Sequence, residues 1–121
     1  MQFEMHTEQG VTIAEIVSGE VVLSTPQDAL DLFSNFYPEH VDGVVVHEHN
    51  LSPAFFQLRT RVAGEILQKF VNYGVKLAIV GDFSRYDSKA LADFIYESNQ
   101  GRHFFFAATH AEALSRLAGA R

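Results

Sequence analysis

The chain has no cysteine and no tryptophan, only three prolines and only two methionines among its 121 residues. Without cysteine there is no disulfide, no thiolate nucleophile and no zinc site built on sulfur, a composition that suits a reducing cytoplasm. Positive charge is also scarce: nine lysines and arginines stand against fifteen aspartates and glutamates, for a formal net charge of −6. The nine cations are scattered and form no basic stripe. A nucleic-acid partner is therefore not expected, because phosphate recognition needs a clustered basic face. No apolar run approaches the roughly 18 residues of a membrane span, so no membrane partner is expected. The opening MQFEMHTEQG has neither the basic nor the apolar region of a secretory signal.

What is present is phenylalanine, eleven of them, within a 47 % hydrophobic chain long enough for one core. Residues 43–84 organise the rest. They read as a short apolar strand (GVVVH), an amphipathic helix over 53–73, and a second apolar strand at 75–80. Before this unit, VTIAEIV (11–17) reads as a strand, Ser18-Gly19-Glu20 as a tight turn and VVL (21–23) as the return strand of a hairpin. Thr25-Pro26-Gln27-Asp28 has the residues of a helix start, with Thr25 as cap, and Pro38 ends that helix. After the central unit, Asp87 or Ser88 caps a third helix, with Gly101 at its expected left-handed end. HFFFAA (103–108) is a strand apolar on both faces, and Thr109 to Glu112 has the capping-box pattern of a last helix.

The expected architecture is a single α/β domain over 1–121, in the order ββαβαβαβα. Its five-stranded sheet is mainly parallel, with the strands at 44–47, 75–80 and 103–107 mutually parallel and helices covering both faces. Residues 1–10 and 118–121 are expected to be loosely ordered ends. A leading hairpin followed by alternating helices and strands resembles the STAS fold of anti-sigma-factor antagonists, an analogy of topology that implies no chemistry. At the level of sequence, HEHNLSPAFFQL, AGEILQKFVNYGVKLAIVGDFS and DFIYESNQGR resemble the bacterial family catalogued as domain of unknown function 4180, from about residue 11 to about 117. That resemblance implies no activity and no site residues.

In open α/β sheets ligands bind beyond the carboxyl ends of the parallel strands. Those ends here carry Glu48 and Asn50 after one strand and Asp82 after the next. Arg59 joins them as a candidate. On a continuous helix over 53–73 it falls among Phe55, Val62, Ile66 and Phe70, on the side facing the sheet. A guanidinium buried there needs a carboxylate, so Arg59 is expected to be bonded to Glu48 or Asp82. Ser52, ahead of Pro53, is expected to cap the long helix and, by the STAS analogy, to be the residue modified in a phosphorylation switch. His47 and His49, two apart on a strand, point to one face, a spacing a metal could use. A third ligand would have to come through the fold, from His103 or Asp82, and no metal or cofactor is read from this pair alone.

No Gly-rich phosphate loop, nucleophile elbow or H-E-x-x-H motif occurs. With no catalytic constellation visible, the expected function is a cytoplasmic regulatory or protein-interaction module that forms a homodimer. The alternative is a small-molecule-binding domain or small enzyme that uses Glu48, Asn50, Arg59 and Asp82.

Overall fold

A computed structural model describes residues 2–120. The chain runs β1 (Gln2–Glu8), β2 (Val11–Val17), α1 (Pro26–Phe36), β3 (Gly43–His47), α2 (Val62–Tyr73), β4 (Lys76–Val80), α3 (Lys89–Gln100), β5 (Phe104–Ala107) and α4 (His110–Gly119). The order is ββαβαβαβα. One five-stranded sheet has the spatial order β1-β2-β3-β4-β5, with β1 antiparallel to β2 and every other pair parallel.

The hairpin expected from the sequence is displaced by one strand. Residues 2–8, read as a loose end, form β1 and pair with β2 over the full ladder from Gln2↔Val17 to Glu8↔Val11. Gln9 (φ 52°) and Gly10 (φ 80°) make the connection, both in the left-handed region that a two-residue hairpin loop requires. β1 contains few apolar residues to announce it, and what defines it is the ladder it makes. Val21 to Leu23 do not form a sheet strand; Leu23 makes only an isolated parallel bridge with Leu51. At the other end α4 continues to Gly119 and Ala120 is buried. Met1 and Arg121, assigned to the same loose ends, lie outside the described residues.

Strand alternation sorts the core into two layers. Ala14, Ile16, Val44, Val46, Leu77, Ile79 and Phe106 face α1, α2 and α3, while Ile13, Val45, Ala78, Phe105 and Ala107 face α4 alone. The helix ends follow local chemistry. Thr25 Oγ1 accepts from Asp28 N, and Asp28 reaches back to the backbone of Thr25. Ser88 Oγ and Thr109 Oγ1 likewise accept from Leu91 N and Glu112 N at the starts of α3 and α4, without the reciprocal bond. Gly101 has φ −93°, not the left-handed value expected, and it is Gly74 (φ 67°) that closes α2 in that conformation. Among the described residues, no helix is long and apolar enough to cross a membrane.

The helix expected over 53–73 is two kinds of structure. Residues 53–56 and 58–60 form short 3-10 turns, and α2 begins only at Val62. Arg61 adopts φ 66°, which interrupts the helical course, and Thr60 Oγ1 donates to the carbonyls of Ala54 (2.7 Å) and Gln57 (2.8 Å). Helical phase counted back from α2 therefore does not apply to residues before 62.

The segment after β2 is held by Asn50, which is fully buried. Asn50 Oδ1 accepts from His47 N (2.8 Å), and Nδ2 donates to the carbonyls of Ser18 (3.0 Å) and Glu20 (2.8 Å). Its own carbonyl accepts from Val22 N (2.7 Å) and Leu23 N (3.0 Å). One residue thus joins the end of β3 to the chain leaving β2. Asn50→Ala removes three side-chain bonds to partly buried backbone groups and should cost roughly 2–4 kcal/mol. Asn50→Asp, which sets a carboxylate against two carbonyl oxygens, should cost at least as much. Urea melts of the two variants check both values.

Candidate functional site

Because β2 to β5 are parallel, their carboxyl ends meet along one edge of the sheet. An open cleft of about 850 Å³ lies there, lined by apolar Val21, Leu51, Pro53, Phe56 and Val80 together with Glu48, Arg85 and Tyr86. Glu48 leaves β3 and is mostly covered, with 15 % of its side chain exposed. Tyr86 Oη donates to Glu48 Oε2 (2.5 Å), and Arg85 Nη2 pairs with the same oxygen and donates to Tyr86 Oη (2.9 Å). The Arg85 guanidinium lies over the Tyr86 ring, 4.8 Å from its centre, and that ring stacks on Phe56 at 5.0 Å. The acid, cation and phenol are therefore fixed on an aromatic wall, which itself packs through Phe83 on Phe106 of β5.

The absence of a side chain at Gly81 makes this arrangement possible. A Cβ there would stand 2.7 Å from both Cβ and Oε1 of Glu48 and 3.2 Å from the Phe83 ring. No atom fits at such separations without a shift of Glu48 or of the β4 end.

Of the four residues expected to converge, only Glu48 lines the cleft. Asn50 is buried beneath it as a structural tie. Asp82 is exposed and turned onto its own loop, accepting from Ser84 Oγ (2.6 Å) and Ser84 N (3.1 Å). The Ser84 hydroxyl and then its N–H hold the Asp82 carboxyl below its ordinary range. Arg59 is exposed, not buried, and pairs with neither Glu48 nor Asp82. The interrupted helix takes it off the face on which the continuous helix had placed it. The cation that meets Glu48 is Arg85, from the polar loop after β4. The carboxyl-end rule that picked out Asp82 applies equally to Arg85, three residues further on. Ser52 makes no capping bond, since the helix begins ten residues later, and its Oγ is buried with no hydrogen-bond partner.

His47 and His49 do lie on one side, their rings stacked at 5.6 Å, but their nitrogens are directed elsewhere. His49 Nε2 meets the Ser18 carbonyl at 2.9 Å, and His47 Nε2 lies 3.5 Å from Glu15 Oε2. His103 precedes β5 and so sits at the opposite edge of the sheet; it cannot complete a site with them.

Glu15 is the feature that sequence reasoning passed over. It occupies the middle of β2 and is nearly buried, 7 % exposed, on the face covered by α4. His6 Nε2 of β1 meets its Oε1 at 3.0 Å, and His110 Nδ1, at the start of α4, meets its Oε2 at 2.8 Å. Burial, the largest single influence, pushes the Glu15 carboxyl up. Hydrogen bonds from His110 and then His6, with the charges of those two rings, more than reverse this and hold it below its ordinary value. A shallow groove beside Glu4, Glu15, His47 and His110 gives access from solvent. The signal in the sequence was a lone acid between Ile13 and Val17 on one face of an apolar strand.

A family model described as Domain of unknown function (DUF4180) matches residues 8–117. No curated protein and no solved structure matches the chain.

Two substitutions separate the observed wall from the pairing that helical phase had implied. Gly81→Ala should destabilise by about 1–3 kcal/mol, because its methyl group overlaps Glu48. Arg59→Met should change stability by no more than about 0.5 kcal/mol, as for an exposed side chain outside any network. Denaturant melts of both variants test this contrast.

Proposed function

We propose that this chain, which belongs to the DUF4180 family, is a cytoplasmic small-molecule-binding module whose ligand occupies the cleft at the carboxyl edge. The observation that carries this reading is the Glu48–Arg85–Tyr86 group, fixed in place on the wall of a largely apolar cleft. Pockets of this composition, with a few oriented polar groups on apolar walls, are the usual form of a ligand site. The site's position beyond the ends of β3 and β4 agrees with the general rule for open α/β sheets.

The chemistry of the wall indicates the ligand class. Glu48 is already answered by Arg85 and Tyr86, so it offers little attraction for a cation. Arg85 has 61 % of its side chain exposed, and a guanidinium carries five N–H donors, more than Glu48 and Tyr86 occupy. The cleft therefore suits a small amphipathic anion. Its apolar body would lie against Leu51, Pro53 and Phe56, and its carboxylate or comparable head would meet Arg85 in a charge-assisted bond.

A regulatory or interaction role through self-association is a second reading, favoured by a difference between the two sheet edges. The β5 edge is closed by Asn99, whose Oδ1 accepts from Phe106 N (2.8 Å) and whose Nδ2 donates to the Phe106 carbonyl (3.3 Å). β1, at the other edge, pairs only with β2 and is available for a second copy. Such a dimer, with a ligand cleft away from the pairing edge, is compatible with the STAS-like analogy. Sedimentation at micromolar concentration should give twice the 13.5 kDa chain mass; a monomer mass removes this second reading.

The ligand reading is tested by an NMR screen of small carboxylates with apolar bodies against their neutral amides. Carboxylates should shift the amide signals of Gln57, Gly81 and Tyr86, and Arg85→Met should weaken the best binder at least tenfold. Binding that ignores Arg85→Met, or no carboxylate binder at all, overturns it.

A further inference from the structure

We infer that Glu4, His6 and Glu15 form a binding site for a divalent transition-metal ion of the zinc type, on the α4 face of the β1–β2 hairpin. One ligand atom from each of the three lies within 4.8 Å of the others. The hairpin register creates this proximity. Glu4 stands directly across from Glu15, and His6, two residues along β1, projects from the same face.

Three observations point beyond chance proximity. The first is electrostatic: two carboxylates directly opposed across an antiparallel pair repel one another, and a bound cation between them turns that repulsion into attraction. The second is geometric: His6 Nε2 and Glu15 Oε1 are 3.0 Å apart. Ligands held at about 2.0–2.1 Å from zinc are separated from one another by roughly 3.3 Å in a tetrahedron. That pair is already close to the spacing the ion requires, and the exposed Glu4 side chain, whose oxygen lies within 4.8 Å, would move in to complete the set. The third is orientation: His110 Nδ1 holds the other carboxylate oxygen, Glu15 Oε2, at 2.8 Å. Outer contacts of this kind orient a ligating carboxylate.

The donor set selects the class of ion. One imidazole with two carboxylates is a mixed nitrogen and oxygen set, which suits zinc, cobalt, iron or nickel better than the all-oxygen preference of calcium or magnesium. Three protein ligands leave at least one position for water or another small ligand. Glu4 is exposed, so the ion can enter from solvent. This site differs from the pairing of His47 with His49, whose nitrogens do not converge, and it does not depend on the ligand cleft.

The test is calorimetric titration of the chelator-stripped full chain with Zn²⁺, joined to histidine ¹⁵N NMR. The expected result is one Zn²⁺ per chain, with the His6 Nε2 resonance shifted as a metal ligand. Affinity should fall at least tenfold in Glu4→Gln and more than tenfold in His6→Gln, and it should be unchanged in His40→Gln, a surface control. Because Glu4 is exposed on an edge strand, Glu4→Gln tests the site with little threat to folding. No stoichiometric binding by the wild-type chain overturns the inference, as does affinity that survives both Glu4→Gln and His6→Gln. Loss of binding on His47→Gln with His49→Gln, while Glu4→Gln binds normally, overturns it equally.

Discussion

The carboxyl edge of this protein depends on a single buried amide. Asn50 makes side-chain bonds to three backbone groups and accepts two more at its own carbonyl. A polar side chain with no exposure is tolerated in a core only when its hydrogen-bonding capacity is met, and here the groups that meet it come from two separate stretches of chain. Asn50 thereby decides where the segment leaving β2 must run. That segment supplies Val21 to the cleft wall and the Ser18 carbonyl to His49. The end of β3 is thereby tied to residues 18–23, the stretch that leaves β2.

Two acids stand near this tie, one on each side of the sheet, and they are satisfied by different chemistry. Glu48, above the cleft, is met by a guanidinium and a phenol. Glu15, under α4, is met by imidazoles. A guanidinium offers only N–H donors, whereas an imidazole carries two distinct ring nitrogens and is a common metal ligand. His47 lies between them, lining the cleft while its Nε2 approaches Glu15.

Much of the architecture was legible in the sequence. Apolar runs gave β3, β4 and β5, and cap residues such as Thr25, Ser88 and Thr109 marked helix starts with real hydrogen bonds. β1 was missed because an edge strand exposed over most of its length needs little apolar content. Its evidence lies in pairing, which no local pattern carries. The site was less legible, for a similar reason. Arg59 was placed by extending helical phase through a stretch that Arg61 breaks. Arg85 looked like an ordinary loop residue until the fold brought it to Glu48. Glu15 carried a signal equal to that of Arg59, a charge on an apolar face, and here the signal was sound because the strand register is unbroken.

The contact of Asn99 with Phe106 also bears on solubility. A sheet that offers bonding edges on both sides can add copies without limit, and such growth produces fibres. Here a side chain occupies the outward donor and acceptor of Phe106 and interrupts the β5 edge at that residue. Asn99 thus acts as a chain terminator written into α3: the last turn of a helix lends its amide to the neighbouring strand and removes the continuous template that polymerisation needs.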